Sequence, residues 1–157
     1  PMMTYMVGHL PDDYLRDIAL HFSQQPLPTP ANAPIALAPA AMERGRQLAL
    51  DGDAAIKVPA CAACHGKALT GVEPTIPGLL GLPRDYINAQ FGAWKNTTRR
   101  AHAPDCMAAI SERLSLADIS AVSGWLSAQP VPQGARPETA IARPLPVACG
   151  SAPEAAR

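Results

Sequence analysis

The sequence predicts an all-α fold of three to four helices, with a preceding helix and Pro-rich arms. Three observations predict it. Helix start and stop signals recur through the middle of the chain. Apolar residues recur there at helical spacing. The eighteen prolines cluster mostly outside that middle instead of interrupting it.

The prolines set the boundaries. Residues 25–40 read QPLPTPANAPIALAPA, and residues 130–157 read PVPQGARPETAIARPLPVACGSAPEAAR. Both are rich in Pro and Ala without a helical period, which suits extended linkers or surface-hugging arms. The expected organisation is a helical segment over residues 1–25, a linker over 26–40, a compact domain over 41–130 and an arm over 131–157.

Each element of the domain has its own signal. Met42–Asp51 predicts a short helix, with Gly45 and Leu48 on one face and Gly52 as its stop. Pro83–Trp94 predicts a second, with Pro83 in its first turn and Tyr86, Ile87 and Phe91 partly aligned. Ser115–Ala128 is the clearest. Ser115 and Asp118 form an S-x-x-D start, and Leu116, Ile119, Val122 and Leu126 share a face beside Trp125. Pro130 ends it.

Bulk composition narrows the class. Apolar residues make up 48% of the 157-residue chain, enough for a core, yet aromatics make up only 4%. A small helical domain so composed can still close if a flat ligand fills its interior. The formal net charge is zero, which offers nothing to nucleic acid. No apolar stretch approaches the roughly 20 residues that span a bilayer.

Cys61-Ala62-Ala63-Cys64-His65 is C-x-x-C-H, the attachment signature of haem c. Two intervening residues let both thiols reach one edge of the porphyrin, and the next residue reaches the iron. A zinc ribbon would need a second such pair. A thioredoxin-like dithiol would need a flanking βαβ pattern, which is missing. An iron that changes oxidation state without rebuilding its coordination needs a sixth ligand, and Met/His ligation supplies one. Met107 is the best candidate. Met42, His102 and an open site are the alternatives.

These residues resemble the class I cytochromes c. The resemblance implies that Gly45 meets Trp125 where the first and last helices cross. It also implies that the carbonyl of Pro77 accepts a hydrogen bond from His65, fixing its tautomer. Pro77, Leu79, Gly81, Tyr86, Ile87, Gln90, Phe91, Trp94, Arg99, Met107, Leu114, Ser115, Asp118 and Ile119 resemble one branch more closely. That branch holds the periplasmic two-haem cytochromes c and the cytochrome subunits of some dehydrogenases. Leu82 departs from its usual glutamine. The branch implies that Tyr86, Trp94 and Arg99 line the haem, the last two near its propionates. It implies electron transfer in the periplasm, with no catalysis by the chain itself. A redox protein would be the partner: a dehydrogenase, an oxidase or another cytochrome. The competing functions are an electron-relay subunit of a dehydrogenase complex and, further off, a haem peroxidase or gas sensor. Lys57, Lys67, Arg99 and Arg100 are candidates to rim the exposed haem edge and steer an acidic partner.

Residues Met3–Pro26 align without gaps on Met107–Pro130. Met3 falls on Met107, Leu10 on Leu114, Leu15 on Ile119, Ile18 on Val122 and Phe22 on Leu126. Self-similarity of this kind signals a repeated unit. It predicts that residues 1–25 are the last quarter of a preceding haem domain, with Met3 the ligand of a second haem attached upstream. The alternative is an ordinary helix packed on the one haem domain, its methionines filling core.

Cys106 and Cys149 remain. Haem c is assembled where disulfides persist, so a Cys106–Cys149 bridge is expected. It would tie the arm over the segment bearing Met107 and stabilise by about 4 kcal/mol on the chain-entropy account. Two free thiols, or pairing with another chain, are the alternatives.

Overall fold

The structure, a computed structural model, describes residues 2–25, 36–141 and 144–152. It is all-helical. The helices are α1 (Met2–Val7), α2 (Asp12–Gln24), α3 (Pro39–Leu50), α4 (Arg84–Lys95), α5 (Cys106–Arg113) and α6 (Leu116–Ala128), with a 3-10 turn at Cys61–Ala63. Among the described residues there are isolated β-bridges but no strand. Most of the expected linker, residues 26–35, lies outside the described residues.

The helix ends follow their local chemistry. α3 begins at Pro39, three residues earlier than expected, because proline at the first helical position loses no hydrogen bond. Pro83 stands one position before α4, as an N-cap in extended conformation, where first-turn placement was expected, and Pro11 stands likewise before α2. At α6 the Ser115 side chain accepts from the Asp118 backbone N–H while Asp118 reaches back to the Ser115 N–H, a complete capping box. α5 was not anticipated as a helix. Its N-cap is Asp105, which accepts from the Ala108 N–H at 3.0 Å.

The core lies between α3, α4 and α6. Leu48 and Ala49 of α3, Ile87 and Phe91 of α4, and Ile119, Val122 and Leu126 of α6 are buried together. Leu116 is 79% exposed. It occupies the first position of α6, beyond the reach of α3, so the expected four-residue face has three buried members. α3 crosses α6 at Gly45. A Cβ there would collide with the Ala121 carbonyl oxygen and come within 2.7 Å of Trp125 Cβ. Only glycine lets the two backbones approach this closely.

Arg44 locks the same crossing from the side. Its Nη1 lies 2.7 Å from Asp53 and its Nε 2.7 Å from Asp118. Hydrogen bonds to Asp118 and Asp53 hold the guanidinium above its ordinary value. The bond from Arg44 likewise holds the Asp53 carboxyl below its own. Burial pushes Asp118 up, but bonds from Ser115 and Arg44 outweigh that and leave it lowered.

The first two helices stand apart from this core. Among the described residues, α1 and α2 contain no buried residue and pack against no other helix. Met2, Met3 and Met6 are more than half exposed. These methionines therefore do not fill the core formed by α3, α4 and α6. The segment expected as a single terminal helix is two, and their starts repeat those of α5 and α6. Met2 aligns with Cys106 and Asp12 with Leu116, at the same offset as Met3 on Met107.

The described residues of the arm, 131–141 and 144–152, contact the domain at several points. Glu138 pairs in parallel with Val72, its N–H donating to Gly71 O and its carbonyl accepting from Glu73 N–H at 2.8 Å. Cys149 is joined to Cys106 by a disulfide.

Candidate functional site: a cavity between His65 and Met107

The local backbone puts Cys61, Cys64 and His65 on one wall. The 3-10 turn is closed by Cys64 N–H to Cys61 O at 3.1 Å, and His65 N–H also reaches Cys61 O. The chain after His65 then folds back on itself. Gly71 N–H donates to His65 O at 2.8 Å, and Leu79 N–H to Leu69 O at 2.8 Å. Gly71 holds φ +94, and a Cβ there would press on Gly78 N at 2.7 Å. This return delivers Pro77 to the imidazole. His65 Nδ1 lies 2.8 Å from Pro77 O. A carbonyl only accepts, so Nδ1 carries the proton and Nε2 keeps its lone pair. Burial pushes the His65 pKa down, more than the Pro77 bond raises it, which favours the neutral ring that a metal requires.

These residues open onto a cavity of about 580 Å³. The size suits a cofactor-sized ligand. Its floor is apolar, built from Leu48, Ile87, Phe91, Val122 and Leu126. Met107, Ile110 and Leu114 line it from α5 and its C-cap. Met107 is half-buried and packs on the core. His102 also borders the cavity but is exposed. Met42 does not line it.

Trp94, Arg99 and Arg100 border the cavity as well. The Arg99 guanidinium stacks 4.2 Å above the Trp94 ring and bonds Gln90 Oε1. Trp94 Nε1–H is buried and has no acceptor among the described residues. A buried donor is costly to leave unpaired, so this one fits an acidic group of a ligand in the cavity. Tyr86, expected to line the haem, is 49% exposed and outside the cavity. It sits one position before Ile87, and the α4 face that meets the cavity is Ile87, Phe91 and Trp94. Lys57 and Lys67 do not line the cavity either. The sequence reading missed Leu145, Val147 and Ser151, which the arm adds to the wall. A Pro-rich tail without periodicity carries no signal for that.

Burial pushes Cys61 up to about 12 and raises Cys64 as well, whereas reactive dithiols have lowered values. Among the described residues no group of three or more His, Cys, Asp or Glu side chains is placed to hold a metal ion. The donor set present is two thiols, one imidazole with a free Nε2 and one thioether around an apolar cavity. It fits a porphyrin and its iron.

No profile of a known protein family matches the chain. Among curated proteins, the thiosulfate dehydrogenase electron acceptor of Thiomonas intermedia is 35% identical over 131 residues, 83% of this chain and 59% of that protein. Cytochrome c-554(548) of Halomonas halodenitrificans is 31% identical over 81 residues, half of this chain and 98% of its own length. The chain belongs to the class I c-type cytochromes. Solved structures agree. Thiosulfate dehydrogenase TsdBA of Marichromatium purpuratum superposes with a TM-score of 0.71 at 27% identity, over 83% of this chain and 27% of that one. Cytochrome c4 of Acidithiobacillus ferrooxidans gives 0.65 at 25% identity, over 81% and 71%. The chain thus spans less than two thirds of the length of the Thiomonas acceptor. As in the other class I c-type cytochromes, the cofactor is covalently attached haem c. No helix among the described residues is long and apolar enough to cross a membrane.

Proposed function

We propose that this cytochrome is a one-electron carrier, in which Cys61 and Cys64 would hold haem c through thioethers and His65 and Met107 would ligate its iron. Bound haem supplies an Fe(III)/Fe(II) couple. Everything else falls to the chain. Pro77 O holds the His65 ring in one tautomer through Nδ1. Met107 offers a soft sulfur that serves both oxidation states and favours the reduced one. The apolar floor excludes water, and Trp94 and Arg99 would offer donors to the acidic groups of the haem. The carrying observation is that a single cavity takes both His65, its Nδ1 committed to Pro77, and a core-packed Met107.

The donor in this reading is a dehydrogenase of the kind served by the Thiomonas acceptor, one that oxidises thiosulfate. The chain is a relay and not the catalyst. A periplasmic setting suits both the thioether chemistry and the disulfide. Residues 1–25 are, in the same reading, the distal part of another haem domain, with Met3 standing where Met107 stands. The matching helix starts and the bare apolar faces of α1 and α2 support this.

Oxidised, haem-loaded protein mixed anaerobically with a thiosulfate dehydrogenase tests the reading. The expected result is a ferrous spectrum that develops only when thiosulfate is added. A protein that stays oxidised there, yet is reduced by dithionite, would rule out this donor. The covalent haem count of the native polypeptide tests the repeat: two haems are expected, and one would remove Met3 as a ligand.

A further inference from the structure

The C-terminal arm is fastened to the domain at two places. At the first, Glu138 pairs with residues 71–73, and its carboxylate accepts the Lys67 N–H at 2.6 Å. This is the loop that follows His65. At the second, Cys149 is bonded to Cys106, the neighbour of Met107. Two residues on, Ser151 Oγ accepts from His102 N–H at 3.0 Å, and Ser151 O accepts from Thr75 Oγ1 at 2.7 Å. Between the anchors, Leu145 and Val147 face the cavity.

We propose that the arm is a strap that positions Met107 as the sixth ligand, with Glu138 and the Cys106–Cys149 disulfide as its positioning residues. The proposal rests on the reading of Met107 as that ligand. Met107 needs such help. It lies in the first turn of α5, a helix of 8 residues whose one buried residue is Ser111. Helices this short are marginal alone, and fraying begins at their ends. The residues before it, 97–104, are neither helical nor buried. The strap ties this loose approach to the loop that carries the Pro77 acceptor. It thereby couples the two sides of the iron site through the disulfide and two hydrogen bonds to Ser151.

A ligand from solution competes for the iron only in the fraction of molecules whose Met107 has swung away. Its apparent affinity rises in proportion to that fraction. Imidazole titration of the ferric, haem-loaded protein reads this directly, alongside the far-red band of methionine-ligated ferric haem. The Cys106→Ser/Cys149→Ser variant is expected to bind imidazole about tenfold more tightly than the parent, and Glu138→Ala more tightly by a smaller factor. If the double variant fails to fold, the folded parent can be reduced with a phosphine, alkylated and reoxidised at iron with ferricyanide, then titrated. Met107→Ala separates the readings. It is expected to bind imidazole tightly, and equally so with or without the disulfide. Should Met107→Ala bind no better than the parent, the ligand assignment itself fails. Should Met107→Ala bind tightly while the disulfide and Glu138 variants match the parent, with only their melting temperatures lowered, the strap is overturned and the ligand stands.

Discussion

His65 Nδ1 sits 2.8 Å from the carbonyl oxygen of Pro77, twelve residues further along the chain. The bond turns a buried imidazole into a directed ligand, because it leaves only Nε2 with a lone pair. The fold spends the whole return loop from Gly66 to Pro77 on making it. Three other relationships in the domain make predictions of comparable sharpness.

Gly45→Ala places a methyl group against the Ala121 carbonyl and Trp125 Cβ. Overpacking of a helix crossing costs about 1–3 kcal/mol. Thermal unfolding of the haem-loaded variant is expected to show a loss in that range. An unchanged melting temperature would mean that α3 and α6 slide apart without cost.

Trp94→Phe keeps the ring under Arg99 and deletes the buried Nε1–H. If that donor serves a propionate, its loss leaves more negative charge at the haem and lowers the midpoint potential. The expected fall is roughly 10–40 mV, up to the equivalent of about 1 kcal/mol. Spectroelectrochemical titration measures it, and a potential equal to the parent's would place the propionates elsewhere.

Asp53 and Asp118 share Arg44, and both carboxyls lie below their ordinary values. A lowered carboxyl stabilises the fold above its unfolded value, about pH 4. That contribution disappears as pH falls through the lowered folded values. Arg44→Gln is therefore expected to cost stability at pH 7 and little at pH 2–3. Melting temperatures of parent and variant should converge as pH falls below about 4. Parallel curves would show that the ion pairs contribute nothing.

Much of this was legible in the sequence, and for physical reasons. The C-x-x-C-H motif is local, so Cys61, Cys64 and His65 announce themselves. The Ser115–Asp118 capping box and the Ile119–Val122–Leu126 spacing mark α6 because caps and amphipathic faces are written in short windows. Gly45 could be named through the resemblance to the class I cytochromes c, and a crossing that leaves no room for a Cβ is the physical reason it stands there. α5 was overlooked although Asp105 is a good N-cap and Met107, Ile110 and Leu114 keep helical spacing. The run Arg99–Pro104 just before it has no helical period, and α5 is only 8 residues long. Tyr86 was misplaced by one position on α4, a 100° turn that carries it from cavity to solvent. The arm's attachment was half legible. The spare cysteines suggested its second anchor, but Glu138 pairs with a loop some seventy residues away, and long-range backbone pairing leaves no local pattern.

The most direct test of the account is the proton NMR spectrum of the ferrous, haem-loaded protein. A methionine bound to iron sits over the porphyrin face, and its methyl resonance moves far upfield in the ring current. The account predicts that Met107→Ala removes one such resonance and that His102→Ala removes none. A Met107→Ala spectrum that keeps every upfield methyl resonance of the parent would contradict it.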